Sequence, residues 1–142
     1  MVAPLPHDEL ARTARQMNLP GFGLEQQTLL HNAHVLVIGA GGLGCPVMQT
    51  LAATGVGEIT VVDDDVVSLS NIHRQILFSA ADVGRKKVEV AAERLRELQP
   101  GLTVHAVDDR LHEGNFLTHL EGIDLLIDGS DTFATKFLAA DA

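Results

Sequence analysis

The chain contains no tryptophan and no tyrosine. That removes the aromatic platform on which single-stranded nucleic acid stacks. Its single cysteine, Cys45, precludes an internal disulfide or a cysteine-cluster zinc site among these residues. One thiol fits a reducing compartment, and the cytoplasm is the expected location. Positive charge is scarce: 10 Lys and Arg stand against 19 Asp and Glu, a formal net charge of -9. Such a surface argues against nucleic acid or an anionic membrane as a general partner. No apolar run approaches the ~20 residues of a membrane-spanning helix. The basic start and apolar core of a signal peptide are missing, and there is no internal repeat. What remains is 46% hydrophobic residues and 13 glycines in 142 positions, enough for one domain with a core and many turns.

The most informative stretch joins Val35-Leu36-Val37-Ile38 to Gly39-Ala40-Gly41-Gly42-Leu43-Gly44. The first four are apolar and mostly β-branched, the pattern of a buried parallel strand. The glycines follow the GxGxxG spacing. Gly39 permits the tight turn, Gly41 lets backbone approach phosphate, and Gly44 lets a helix pack on the strand. A helix is predicted over residues 46–54, with Pro46 near its first turn. Its free N–H groups and positive dipole end would face an anion. A second strand over 59–62 ends in Asp63, 19 residues after Gly44, where a ribose-binding acid belongs in such a unit. The bland alternative is a tight strand–helix turn with an incidental surface acid. Strand, loop, helix, strand and acid in register favour nucleotide binding.

The rest of the chain supports a wound α/β fold. Asp8 is placed to cap a helix over 9–17 bearing Arg12 and Arg15, whose bland reading is a solvated helix face. A short helix follows at 24–31, and residues 1–33 form an N-terminal helical arm. Of Asp63-Asp64-Asp65, Asp63 is assigned to ribose, Asp65 to its own loop or a cation's water shell, and Asp64 to solvent. Residues 68–75 mix donors, acceptors and a cation, either as a binding loop or as a turn capped by Ser70 or Asn71. A helical turn is predicted at 79–83. An amphipathic helix spans 84–98, with Val88, Ala91, Ala92, Leu95 and Leu98 inward and Arg85-Lys86-Lys87 in its first turn. Cations there oppose the helix dipole; either a nearby anion compensates, or they form a solvated basic patch in acidic surroundings. Strands at 102–107 and 123–127, and helices at 113–120 and 132–142, complete a Rossmann-like, doubly wound, mostly parallel sheet over 34–142, with helices on both faces. In that fold Asp131, beyond the fourth strand, faces the glycine turn at the switch point.

Two nucleotide chemistries compete. A dinucleotide oxidoreductase needs the helix N-terminus and the ribose acid. An ATP-using enzyme must also neutralise about four phosphate charges and give magnesium a hard oxygen ligand. Arg74, Lys87 and Arg15 supply cations and Asp131 supplies oxygen, while the P-loop pattern GxxxxGK[ST] is missing. ATP on a Rossmann-like unit is favoured. NAD(P)-dependent oxidoreduction and a non-catalytic dimerisation module are the alternatives. Cys45, at a helix start, is assigned to packing rather than catalysis. The pairs His31/His34 and His112/His119 lack carboxylate companions in sequence and are assigned to the surface.

The same residues resemble the ThiF/MoeB/HesA adenylyltransferases. The resemblance rests on residues 39–45, Gly55-Val56-Gly57, Asp63-Asp64-Asp65, Leu69-Ser70-Asn71-Ile72-His73-Arg74-Gln75, residues 84–87 and Asp128-Gly129-Ser130-Asp131. It implies that the backbone at Gly39, Gly41 and Gly42 holds phosphates and that Asp63 holds ribose. Ser70, Asn71 and Arg74 would contact nucleotide, as would Thr132. Lys87 would bind the triphosphate, Asp131 magnesium, and Arg15 the ATP of a partner subunit in a homodimer. The implied reaction is adenylylation of the C-terminal glycine of a ubiquitin-like sulfur carrier ending in Gly-Gly, in thiamine or molybdopterin synthesis. The sequence departs from the family pattern at Thr132 for Asn, Lys136 for Arg, His73 for Gln and Thr13 for Tyr. The family's paired CxxC zinc ligands, catalytic cysteine and carrier groove have no counterpart here. The expectation is therefore a nucleotide-binding half, with zinc confined to the other half and only weak exchange activity in isolation.

Overall fold

A computed structural model describes residues 2–73, 75 and 77–130. Four parallel strands form its sheet in the order β3-β2-β1-β4: β1 His34–Ile38, β2 Glu58–Val62, β3 Thr103–Val107 and β4 Leu125–Asp128. The chain winds outward from β1 through β2 to β3, then crosses back to place β4 on the other side of β1. That reversal is the switch point of an open α/β sheet. The α/β, Rossmann-like class expected from the sequence is the observed one.

Register divides the core in two, because alternate strand residues share a face. Val35, Val37, Ile59, Val61 and Val104 pack with Met48 and Ala52 of α3 (Gly44–Thr54) and with Val88, Ala91, Ala92 and Leu95 of α4 (Lys87–Leu98). Leu36, Ile38 and Val62 pack with Leu111 and with Phe116 of the four-residue α5 (Phe116–His119). Two further helices, α1 (His7–Thr13) and α2 (Leu24–His31), precede the sheet. Arg12 is not merely a solvated charge. It donates to the Leu98 carbonyl at 2.6 Å and to Gln99, tying α1 to the negative end of α4. Buried Gln27 likewise ties α2 to the last carbonyls of α3 by donating to Thr54 O at 3.0 Å.

Several boundaries differ from expectation. Pro6, already extended, takes the cap position of α1, so Asp8 falls inside the first turn and caps nothing. The helix ends at Thr13, and a separate 3-10 turn covers Gln16–Asn18. α3 starts two residues before Pro46, which then sits at its third position and forfeits no bond. α4 begins at Lys87 rather than at Gly84. Gly84 has φ +88 and donates to Val67 O at 2.9 Å, while Arg85 O accepts from Val67 N–H at 2.8 Å. That pairing draws residues 84–86 out as an extended segment against the loop after β2, so Arg85 and Lys86 lie outside the helix. Leu98, assigned inward, is exposed, whereas Val90 is buried. The helix expected at 113–120 shrinks to α5, because Asn115 spends its side chain on His112 N–H, Asp109 and the Arg110 carbonyl. The helix expected at 132–142, and Lys136 within it, lie outside the described residues. Among the described residues no helix is long and apolar enough to cross a membrane.

Candidate functional site

A cleft of about 280 Å³ opens at the carboxyl ends of β2, β1 and β4. Its floor is the glycine turn. Gly39 donates to Val62 O at 2.8 Å and has φ +91. A side chain there would meet Gly129 O at 2.9 Å, so the turn after β1 and the end of β4 are pressed together. At Gly44 a Cβ would collide with the Gly39 carbonyl oxygen, which is why α3 can start directly under the turn. Gly41 lines the cleft, and Gly42 is exposed beside it.

Asp63 leaves β2 toward this turn and holds it. One carboxylate oxygen accepts from Ala40 N–H at 2.7 Å, the other from Asp65 N–H at 2.8 Å. Organising the loop, a task expected of Asp65, therefore falls to Asp63. Each oxygen keeps a further lone pair for a ligand. Asp64, assigned to solvent, is exposed but lies on the cleft rim with Asp65.

Lys87 is the buried cation of the site among the described residues. Its side chain is 6% exposed, yet it lines the cleft from the first residue of α4. The Asp65 carboxylate lies 3.9 Å from Nζ, too far for a hydrogen bond. A buried ammonium at a helix N-terminus is opposed by desolvation and by the dipole. An anion in the cleft offsets both. The two cations that precede it in sequence are paired elsewhere. Lys86 pairs with Asp108 at 2.7 Å and Arg85 with Glu93 at 2.8 Å.

Asn71 lines the cleft, at the end of a 3-10 turn over Leu69–Asn71. Ser68, not Ser70 or Asn71, precedes that turn as its cap. Ser70 Oγ is exposed, lies 2.9 Å from Ser68 Oγ and is not part of the lining. Arg15 is exposed and also outside the lining. Arg74, Asp131 and Thr132 lie outside the described residues.

Sequence reasoning missed Gln75 and Arg110. Gln75 is buried, lines the cleft, and its Oε1 has no hydrogen-bond partner among the described residues. An orphaned buried acceptor normally marks a missing partner. Arg110 follows β3 and reaches the cleft beside Leu111. Its signal was topological, since the end of β3 shares the carboxyl edge.

Cys45 is wholly buried beneath the turn. Burial pushes its thiol up to about 11, against smaller lowering effects of the Leu77 backbone and Lys87. Its Sγ donates to Ala40 O at 3.4 Å. It is a packing residue, as expected. His34, by contrast, is not a surface histidine: its side chain is 16% exposed and its Nε2 lies 2.6 Å from Thr60 Oγ1.

Comparison with known proteins follows the same lines. The chain matches the model of the ThiF family over residues 13–142. It is 49% identical over 135 residues to a sulfur carrier protein adenylyltransferase of Thermus thermophilus, covering 95% of this chain and 50% of that protein. It is 44% identical to the probable adenylyltransferase/sulfurtransferase MoeZ of Mycobacterium tuberculosis, covering 97% and 35% respectively. The E. coli tRNA N6-threonylcarbamoyladenosine dehydratase TcdA, solved in complex with ATP, superposes with a TM-score of 0.86 at 34% identity, covering 92% of this chain and 53% of that one. The chain thus spans about half, or less, of the length of these relatives.

Proposed function

Because the chain belongs to the ThiF family, we propose that it binds ATP with magnesium and adenylylates the C-terminal carboxylate of a ubiquitin-like sulfur-carrier protein. The observation that carries this is Lys87, a buried ammonium facing a glycine-floored cleft whose nearest carboxylate among the described residues, Asp65, stands 3.9 Å away. A triphosphate supplies a closer counter-charge than Asp65 does, and more of it than the pyrophosphate of a dinucleotide. The similarity to a sulfur carrier protein adenylyltransferase supports the acceptor.

In this reading residues 34–142 form the ATP-binding domain and 1–33 its helical arm. Backbone N–H groups at Gly39, Gly41 and Gly42 hold phosphate oxygens. Asp63 takes the ribose hydroxyls while it fixes the turn. Ser70, Asn71, Arg74 and Thr132 contact the nucleotide, and Gln75 gives its orphaned acceptor to a ligand donor. Arg15 reaches the ATP of a partner subunit in a homodimer. The carboxylate-rich edge has the hard oxygen donors that magnesium prefers, and Asp131 would hold the ion, which neutralises phosphate charge. A carrier carboxylate oxygen attacks the α-phosphorus, the bond to the β-phosphate bridging oxygen breaks, and pyrophosphate leaves with its electron pair. The product is an acyl adenylate. No side-chain nucleophile takes part. Lys87 and Arg74 position the phosphates and stabilise charge that develops in the transition state. Thiamine and molybdopterin synthesis are the pathways in which such a carrier serves.

ATP–pyrophosphate exchange tests the reaction. Exchange should depend on a carrier ending in Gly-Gly and vanish when its last glycine is removed. Exchange that is indifferent to the carrier's C-terminus removes the proposed acceptor.

A further inference from the structure

At the amino ends of β1 and β2 and the middle of β3, three side chains able to ligate a metal meet on one face of the sheet: His34, Glu58 and His105. Register builds the cluster. His34 pairs with Glu58 across β1 and β2, and Thr60 pairs with His105 across β2 and β3. Residues two apart on a strand share a face, so Glu58 stands between two imidazoles. One ligand atom from each residue lies within 4.8 Å of the other two. His105 Nε2 is 2.5 Å from Glu58 Oε2, and His34 Nδ1 is 3.6 Å from Glu58 Oε1.

Thr60 gives the cluster an outer support. When His34 Nε2–H donates to Thr60 Oγ1, 2.6 Å away, Nδ1 turns its lone pair toward Glu58. Hydrogen bonds of this kind fix the tautomer and ring orientation of metal-bound histidines. The side chains of His34, Glu58 and His105 are 16%, 38% and 48% exposed, so an ion enters from solvent without opening the core.

We propose that His34, Glu58 and His105 form a site for a divalent transition metal of the zinc type. Two imidazole nitrogens and one carboxylate oxygen suit zinc and its neighbours, whereas magnesium and calcium favour all-oxygen ligands. Ligands of a tetrahedral zinc stand about 3.3 Å apart. Entry of the ion therefore replaces the hydrogen bond between His105 and Glu58, and any proton held there leaves to solvent. Water completes the coordination. His34 stands five strand residues before Gly39, about 16 Å, and His105, level with Leu36, three, about 10 Å. The ion clasps three strands and takes no part in nucleotide chemistry.

The test uses the chain stripped with EDTA and titrated calorimetrically with zinc chloride. One equivalent should bind, and zinc but not magnesium should raise the melting temperature. His105→Ala, at an exposed position, should weaken zinc binding at least 10-fold, while His119→Ala leaves it unchanged. Glu58→Gln can disturb the strand pair, so cobalt substitution provides a second readout. The visible absorption of bound cobalt should appear in the unaltered chain and be lost in His105→Ala. No zinc binding at 100-fold excess, or binding and cobalt absorption equal in the His105→Ala chain, would overturn the proposal.

Discussion

Cys45 and Gly44 sit side by side in sequence, and their environments set opposite tolerances. The Cys45 thiol is buried and pushed up to about 11, so at neutral pH it is protonated and out of reach. Thiolate is the reactive form. A colorimetric thiol reagent at pH 7.5 should therefore leave the folded chain unmodified and label it rapidly in denaturant. Fast labelling of the native chain would place Cys45 somewhere else. Gly44 carries the opposite demand, since any Cβ collides with the Gly39 carbonyl. Gly44→Ala should lower stability by about 2–4 kcal/mol, measured by urea unfolding, although alanine is the better helix former. The demand at Gly44 was legible in the GxGxxG spacing, and a packing role for Cys45 was expected, but its raised pKa was not, since a helix start by itself favours a lowered one. Lys87 was legible as a cation near the site. Its burial was not, for that depends on the pairing of residues 66–67 with the segment 84–86.

That segment and the turn before it show how an element boundary is set from outside. Asp82 closes a 3-10 turn with Ser79, whose N–H donates to it at 2.8 Å, and receives Arg94 of α4 at 3.0 Å. Burial raises the Asp82 carboxyl, but the Ser79 N–H and hydroxyl, then Arg94 and Arg85, outweigh it and hold the group below the usual carboxylate range. A lowered pKa contributes stability that is fully present above the unfolded value and lost as pH falls through the folded one. Asp82→Asn should cost about 1–3 kcal/mol at pH 7. The gap to the unaltered chain should hold down to about pH 5 and shrink below about pH 4, where the unfolded carboxyl titrates. A gap that is flat to pH 2 in acid-dependent unfolding would refute this. The turn at 79–83 was visible from its local spacing. The start of α4 was not, because its three cations look helical in isolation and only the non-local strand-like pairing removes Arg85 and Lys86. Fully buried strands announced themselves as continuous apolar runs. β3 alternates only in part: Val104 is buried between exposed Thr103 and His105, but Ala106 on the same face as Val104 is exposed.

At the scale of the whole molecule, sheet order is what turns scattered residues into sites. The switch point beside β1 was inferable from strand–helix alternation, and with it the position of the cleft. Arg110 and the cluster of His34, Glu58 and His105 were not, because each requires the register of three strands, joining positions up to 71 apart in sequence (34 to 105). The central claim is that the cleft is built for a triphosphate, with Lys87 as its buried counter-ion. Calorimetric titration of magnesium–ATP and of NAD into the unaltered chain and into Lys87→Met tests it most directly. Methionine fills similar space without a charge, so the melting temperature should hold or rise. ATP affinity should fall about 30-fold or more, the loss of roughly 2 kcal/mol from one charge-assisted contact, and NAD should give no heat in either chain. Tight NAD binding without an ATP effect, or ATP affinity unchanged in Lys87→Met, would contradict the account.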